Sequence, residues 1–281
     1  MIRNIQIAIL ILPVLLLTSC THPSYNNFPD NINIKDLAPT NPDGSLEMNK
    51  LKTINLDLNV LEIPADNFIK LDEIRRALSI RPIKFNNYLA FSNNYFSAYY
   101  GKNQRLSTVY DLLQIAGAQN VTRTAIMLGD GESQDINIKQ LTRMQLVSYS
   151  SLNGSPEAAR VGPGLITMHI SVEKSNSLDE AGTVTILPMF TVISSNTIPE
   201  LSMIEKQRDF PFTSAALQLD MTPGDFIFLA SEKYISDQSI LSGLFFSNPD
   251  GSMFINFDER KLPERKPSVR VYILTCVGLN F

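Results

Sequence analysis

Tryptophan is missing from this chain of 281 residues, and histidine and cysteine each occur only twice. The histidines are His22 and His169, and the cysteines are Cys20 and Cys276. This shortage of nitrogen and sulfur ligands argues against a zinc site, and the scarcity of histidine argues against a His-dependent catalytic triad. Neither a dinucleotide-binding glycine motif nor a P-loop nor a Gly-x-Ser-x-Gly motif occurs. The sequence therefore predicts no enzyme, no metal and no cofactor.

Basic charge is also in short supply. The formal net charge is −4, and the lysines and arginines form no cluster, which argues against a nucleic-acid partner. Hydrophobic residues make up 44% of the chain and charged residues 19%, so most of the chain can form a buried core.

A short apolar segment follows Arg3 and covers residues 5–17, with Gln6 as its one polar residue. A helix of this length rises only about 20 Å, which is too short for the hydrocarbon core of a bilayer. Together with the positive start, this pattern is typical of a secretory signal peptide, which we place at residues 1–19.

The end of this segment, Leu17-Thr18-Ser19-Cys20, resembles the lipobox of bacterial lipoproteins. The resemblance implies lipidation of the Cys20 thiol, cleavage before Cys20, and acylation of the new amino group with a fatty acid such as palmitate. Three acyl chains would give a stable membrane anchor. Thr21 stands where an aspartate would favour the inner membrane, so the resemblance implies the outer membrane.

Residues 20–50 contain no sustained apolar period and are predicted to be a flexible tether behind the lipidated Cys20. Proline and asparagine recur in this segment, at Pro23, Asn26, Asn27, Pro29, Asn31, Asn33, Pro39, Asn41, Pro42 and Asn49.

Residues 51–140 are predicted to form a small α+β domain. Residues 53–63 alternate between apolar and polar, which indicates a strand with one buried face. A helix is expected from Asp66 to Leu78, and another from Ser107 to Ala116 that ends at Gly117. The remaining expected elements are strands at Ile80–Phe85, 94–100 and Val121–Leu128, and a strand from Ile136 that pairs with Val121–Leu128 across a Gly129-Asp130-Gly131 turn.

Residues 141–281 are predicted to form an antiparallel all-β domain, a sandwich or a contribution to a barrel, with at most one helix near 199–208. The fold class is therefore α+β, with the small α+β unit first. The expected strands are Met144–Ser150, Leu165–Glu173, Thr183–Ile193, Ala215–Met221, Asp225–Ala230, Leu241–Ser247, Met253–Phe257 and Ser268–Gly278. In the last of these both faces are apolar, which predicts a central strand with Cys276 buried.

Three side-chain groups bear on a possible site, and each has an ordinary structural interpretation. His169 is expected on the solvated face of a strand. Ser171 and Lys174 have the Ser-x-x-Lys spacing of penicillin-binding proteins, but on a strand they point to opposite faces. Asp130, Glu132 and Asp135 lack the spacing of an EF-hand, and they are expected at a polar hairpin tip.

An aromatic cluster at Tyr95, Phe96, Tyr99 and Tyr100 is the fourth candidate. Aromatic rings at this density could stack on sugars. A strand would instead place about half of them in the core and half on the surface.

The order of segments over residues 160–278 is similar to the C-terminal domain of secretins, the ring-forming outer-membrane channels of secretion systems. The matching segments are Val161-Gly162 with Leu165–Glu173, Gly182–Ile193 with Pro188, Leu217–Met221, Gly224 with Phe226–Leu229, Gly243-Leu244-Phe245-Phe246, and Val269–Val277. The apolar segment before the Leu-Phe pair is shorter than in that family, at Ile240-Leu241-Ser242-Gly243.

This resemblance implies a lipid-anchored envelope protein that is a structural subunit or channel-like component of a secretin-type assembly. Its partners would be the membrane, through Cys20, identical subunits in a ring, and other envelope proteins. The alternative is a monomeric envelope lipoprotein that binds glycan or protein through a β-sandwich. An envelope hydrolase is disfavoured because no nucleophile and base can be paired.

Overall fold

The computed structural model describes residues 53–175, 180–193, 209–254 and 263–280. Antiparallel strands make up most of these residues, and the helices are few and short. In chain order the elements are β1 (Thr53–Pro64), a 3-10 helix (Ala65–Lys70), α1 (Leu71–Ala77), β2 (Lys84–Phe85), α2 (Tyr88–Asn93), β3 (Phe96–Lys102), α3 (Asn103–Ile115), β4 (Gln119–Gly129), β5 (Ser133–Leu141), β6 (Gln145–Ser150), β7 (Pro156–Val161), β8 (Gly164–Lys174), β9 (Gly182–Thr191), β10 (Phe210–Pro211), a second 3-10 helix (Thr213–Ala215), β11 (Leu217–Met221), β12 (Asp225–Ser231), α4 (Leu241–Phe246), β13 (Ser247–Phe254) and β14 (Glu264–Asn280). None of the helices in these residues is long and apolar enough to cross a membrane.

Two larger sheets carry most of the strands. The first has the order β3-β12-β14-β1-β4, with β13 also paired to β14, and the second has the order β2-β11-β9-β8-β5, with β10 beside β9. The hairpin of β6 and β7 forms a separate two-stranded sheet. All strand pairs in these sheets are antiparallel.

The core lies between the two larger sheets. Gly182 of β9 approaches β1 so closely that a Cβ atom there would lie 2.0 Å from Ile54 Cδ1. Ile54, Met168 and Ile186 belong to one continuous cluster of buried apolar side chains. Helices α1 and α3 contact each other, and Tyr110 of α3 lies on the opposite face of the first sheet, close enough to Asp57 to feel its charge.

The prediction that β1 has one buried face is wrong, because both of its faces are covered. Asp57 and Asn59, on the face expected to be solvated, are only 8% and 7% exposed. Arg123 of β4 forms an ion pair with Asp57 there, with 2.7 Å between Arg123 Nη2 and Asp57 Oδ2. A buried carboxylate is tolerated when it has a partner of this kind.

The boundary predicted between residues 140 and 141 falls within one compact unit. Strands β1, β3 and β4 lie in the same sheet as β12 and β14, and Lys50–Phe281 groups as one compact unit. The Gly129-Asp130-Gly131 turn likewise does not close a paired hairpin. It carries the chain from β4 in the first sheet to β5 in the second. The expected β-rich composition is confirmed in its coarse form, mostly antiparallel sheet with few helices.

Several local predictions are confirmed. The structure contains both expected helical regions, and Gly117 has the left-handed φ of 77° that ends the second of them. A further finding is that pairing along β9 is interrupted at Pro188, because β11 pairs with β9 up to Ile186 and β10 pairs with it from Met189. A proline lacks the donor that a ladder at this position would need.

Other local predictions are wrong or lie outside the described residues. The segment Leu241–Phe246 is the short helix α4 and not a strand, and the strand expected over Ile80–Phe85 is reduced to Lys84–Phe85. Helix α2 and strand β7 were not expected. The signal peptide, Cys20, the tether over 20–50 and the helix near 199–208 lie outside the residues that the structure describes.

Candidate functional site

Cys276 is buried within the central strand β14, as predicted. Leu56 of β1 is its partner on one side, and on the other β12 pairs with the neighbouring Thr275. Burial raises the pKa of the Cys276 thiol to about 11, and the nearby charge of Asp225 acts in the same direction. A thiol with this pKa is not a nucleophile near neutral pH.

His169 lies on the outer face of β8, as predicted. Its Nδ1 lies 2.6 Å from Asp135 Oδ1 on the neighbouring strand β5. Ser171 and Lys174 lie on the same extended strand, so the helical turn that a Ser-x-x-Lys mechanism needs is not present.

Two acidic residues of the β4–β5 turn accept hydrogen bonds from backbone N–H groups, one within the turn and one on β8. The Glu132 carboxylate accepts from Gly129 N at 2.7 Å, and Asp130 Oδ1 accepts from Lys174 N at 2.7 Å. Across the described ranges, no group of three or more His, Cys, Asp and Glu side chains is arranged to hold a metal ion.

The aromatic cluster at 95–100 is divided between core and surface. Phe96 is buried in the core, and Tyr99 and Tyr100 are half-buried. The Tyr100 hydroxyl donates to Asp225 Oδ1 at 2.8 Å, and burial followed by this hydrogen bond raises the Tyr100 pKa well above that of free tyrosine. Tyr95 differs from the other three because it is one of the residues that line an open cleft.

Tyr95 has an unusual backbone that its neighbours hold in place. Its φ of 59° lies in the left-handed region, which bulky residues seldom adopt, and it is the one non-glycine residue of the described ranges there. Its N–H donates to Ser92 O at 2.8 Å, and its carbonyl oxygen accepts from Glu232 N at 2.7 Å. Lys233 Nζ lies 3.7 Å from the centre of its ring, a cation–π contact. The backbone of Tyr95 is therefore held on both sides, and Lys233 covers a face of its ring.

The cleft that Tyr95 lines has a volume of about 560 Å³ and lies between the end of α2 and the β6–β7 hairpin. We call it the Tyr95–Tyr149 cleft. Its lining consists of Asn93, Asn94, Tyr95, Ser148, Tyr149, Ser150, Gly154, Pro156, Glu157, Ala158 and Ile240.

Asn94 connects the two sides of this cleft. It is buried, and its Nδ2 lies 2.9 Å from Ala90 O and 2.9 Å from Ser150 O. Its Oδ1 accepts from Ser150 N at 2.7 Å. These hydrogen bonds join α2 to β6, so the width of the cleft is set by the fold.

Tyr149 forms the second aromatic wall. Its ring packs edge-on against Phe210 and Phe212, with centroid separations of 5.8 and 5.5 Å. Its hydroxyl donates to Glu157 Oε2 at 2.8 Å across the hairpin. Burial, then this hydrogen bond and the charge of Glu157, raise the Tyr149 pKa to about 12. The hydroxyl is therefore a protonated donor at neutral pH.

Two further depressions extend the cleft. One of about 610 Å³ shares Asn93 and Tyr95 with it and continues to Glu232 and Lys233. The other, of about 350 Å³, shares Tyr149 and Glu157 with it and continues toward the segment 210–214. Tyr95 thus lines two of the three depressions, and Tyr149 lines two of them.

Among the residues that line the cleft, only Tyr95 was a candidate site residue from the sequence. The Asn153-Gly154 turn signal indicated where the hairpin reverses, but Tyr149 and Glu157 meet across it only because β6 and β7 pair. The chain matches no protein-family model, no curated protein and no solved structure. Its function must therefore be inferred from its own residues.

Proposed function

We propose that the protein is a lipid-anchored, non-enzymatic component of the cell envelope, held at the outer membrane through the lipidated Cys20. The apolar segment 5–17 followed by Leu17-Thr18-Ser19-Cys20 supports this anchor. Within the envelope we propose that it is a structural subunit or channel-like component of a secretin-type assembly.

The arrangement of the secretin-similar segments supports the second part of the proposal. Three of them form the neighbouring strands β8, β9 and β11, and two others form the neighbouring strands β12 and β14. The Gly243-Leu244-Phe245-Phe246 segment forms most of α4, which lies between β12 and β14 along the chain. In this proposal residues 141–281 contribute the secretin-like β-rich part, and residues 51–140 contribute the α+β part.

The observation that carries the assembly proposal is the open edge of β4. This strand has 11 residues and ends the first sheet, and no strand of the described ranges pairs with its outer side. Val121 and Met127 on this strand are 51% and 67% exposed. A long edge with exposed apolar side chains is a template for pairing with another chain, and repeated head-to-tail pairing can close a ring.

Light scattering on the mature chain without acyl groups tests the proposal. At micromolar concentration we expect the measured mass to be a multiple of the mass of one chain. Deleting residues 21–50 should leave this mass unchanged, because the tether is not part of the assembly. Met127→Lys should reduce it, because a lysine at an edge strand opposes strand pairing. Met144→Lys is the matched control, since Met144 is 58% exposed but lies outside β4. The mass of one chain would contradict the proposal.

The Tyr95–Tyr149 cleft favours a second candidate function. A monomeric envelope lipoprotein that binds glycan or protein needs a preformed concave site with aromatic walls, and the cleft has that form. A persistently monomeric chain that binds a ligand in this cleft would favour this function over the assembly.

A further inference from the structure

We propose that β4 of one chain pairs with β7 of a second copy of the same chain. This pairing rests on the proposed assembly and identifies the surface that receives β4. The receiving strand, β7 (Pro156–Val161), belongs to the separate two-stranded sheet. A contact between two different surfaces can be repeated from chain to chain, and it closes a ring when the rotation permits.

Strand β7 offers a regular open edge. All six of its residues pair with β6, from Pro156 opposite Ser150 to Val161 opposite Gln145, and the register has no interruption. No strand of the described ranges pairs with its other side. Ala159 and Val161 are buried in the core, which holds the strand in place. Strand β7 can therefore accept a further strand, which would extend a sheet that now has only two.

Several other outer strands are occupied or too short to receive β4. On β3, Tyr100 N donates to Ser79 O at 2.6 Å and Tyr100 O accepts from Ser79 N at 3.1 Å, so Ser79 occupies part of that edge. The outer side of β6 is also bonded, because Ser148 N donates to Ser239 O at 2.7 Å. Strands β2 and β10 contain only two residues each.

The two remaining outer strands, β5 and β13, are irregular. The ladder of β5 is interrupted at Ile138, whose carbonyl oxygen accepts from Arg270 Nη1. The ladder of β13 is interrupted between Asn248 and Ser252, where Pro249 has no N–H to donate. A bulge or a proline at an edge opposes pairing with another chain. Among the edges of the described residues, β7 is therefore the one best suited to receive β4.

The incoming strand β4 is regular over most of its length. Its register with β1 shifts between Val60 and Leu61, and from Thr122 to Gly129 the pairing continues without interruption. Arg123 is its only charged residue. An edge of this length with so little charge has few of the features that keep edge strands apart.

Charge complementarity favours β7 over a second β4 as the partner. The Arg123 side chain is 70% exposed, and two β4 strands paired about their centres would bring two copies of it close together, which is unfavourable. Strand β7 instead presents the exposed Glu157 near one end, with Arg160 toward the other. A guanidinium has five N–H groups, so Arg123 can keep its pair with Asp57 and also donate to Glu157.

Cross-linking together with light scattering tests this pairing. Both use the mature, acyl-free chain with Cys20→Ser, in which the buried Cys276 is the one natural cysteine left. One variant carries Ala125→Cys on β4 and another carries Ala158→Cys on β7, and both positions are exposed. We expect bismaleimidoethane to join the two variants when they are mixed, and to join neither variant to itself.

Glu157→Arg is the second informative variant. It should weaken assembly by about tenfold or more, because it places a cation beside Arg123 of the neighbouring chain. Glu73→Arg is the matched control. It makes the same change of charge at an exposed position of α1, outside both edges, and should assemble as the natural chain does.

The outcomes separate this pairing from the proposed assembly. The mass of one chain for the natural protein would reject the assembly and the pairing together. A multiple mass with Ala125→Cys joined to itself would keep the assembly and replace β7 with a second β4. A multiple mass without a cross-link between the two variants would keep the assembly and reject β7 as the partner. Equal assembly of Glu157→Arg and Glu73→Arg would likewise contradict the pairing.

Discussion

Glu62 and Arg270 stand directly opposite each other on β1 and β14, and Arg270 Nε donates to Glu62 Oε1 at 2.7 Å. Glu62 is only 3% exposed, and its other oxygen accepts from Ser268 Oγ at 3.1 Å and from Ser252 Oγ. Arg270 Nη1 donates to Ile138 O of β5 at 3.0 Å. One guanidinium thus connects the two larger sheets.

The first prediction concerns this pair. Arg270→Met should lower the free energy of unfolding by about 3–5 kcal/mol, because it leaves the buried Glu62 charge without its partner. Lys266→Met is the control. Its exposed pair with Glu264 should contribute at most about 1 kcal/mol. Urea unfolding of both variants measures the difference, and equal losses in the two would contradict the prediction.

The second prediction concerns Cys276. Cys276→Ser should cost about 1–3 kcal/mol, because it places a hydroxyl in an apolar site. A water-soluble thiol reagent should label the native protein only as fast as unfolding exposes the Cys276 thiol. The folded-state pKa of Cys276, about 11, lies above the 9.0 of a free thiol, so folding favours the neutral thiol. The stabilisation of the fold by the neutral thiol is complete below about pH 9 and is lost as the pH rises to about 11. Rapid labelling of the native protein would contradict the prediction.

The third prediction concerns Tyr149. Its pKa of about 12 exceeds the 10.0 of free tyrosine, so folding favours the neutral phenol. The corresponding stabilisation is complete below pH 10 and is lost as the pH rises through about 12. Tyr149→Phe should remove one late phenolate transition from the absorbance titration, and Glu157→Gln should move that transition to lower pH. An unchanged titration curve in both variants would show that the hydrogen bond has no effect in solution.

The fourth prediction concerns Gly243. This residue lies within α4 and its φ is not positive, so its backbone conformation does not exclude a β-branched residue. The actual obstacle is the Asp237 carbonyl oxygen, which would lie 2.0 Å from a Cβ atom. Gly243→Val should therefore destabilise the chain by about 1–3 kcal/mol or more. Gly278→Val is the control, since the nearest atom to a Cβ there is at 3.8 Å. Similar melting temperatures for the two variants would contradict the prediction.

The fifth prediction concerns the anchor. Cys20→Ser should leave the chain without acyl groups and move it from the membrane fraction to the soluble fraction, because the thiol is the acceptor of the first lipid. Mass spectrometry of the N-terminal peptide of the natural protein should show the acyl chains. Cys276→Ser serves as the control and should stay with the membrane. Retention of the Cys20→Ser chain in the membrane fraction would contradict the prediction.

Local patterns in the sequence were sufficient to predict most of the strands. The alternation over 53–63 and the apolar segment around Cys276 both correspond to observed strands, and Gly117 ends the helix that it was expected to end. These features depend on neighbouring residues, which a sequence shows directly.

Two errors are local, at Leu241–Phe246 and Ile80–Phe85. The others concern contacts between distant residues. The polar face of β1 is buried because Arg123 and α3 cover it, and no local pattern indicates this. The pairing of β1 with β14, more than 200 positions later, was not predicted either. The cleft could not be predicted for the same reason, since Tyr95 and Tyr149 line it together only in the fold in which Asn94 is bonded to β6.

The pairing of β1 with β14 also determines when this protein can fold. Every residue of β1 has its neighbour on β14, and β14 in turn separates β1 from β12 and β3. While the chain is being synthesised, β1 therefore has to wait for a strand that follows it by more than 200 positions. Loop closure over such a separation is slow, and the waiting chain exposes apolar strands. A protein with this topology is exposed to aggregation until β14 has emerged.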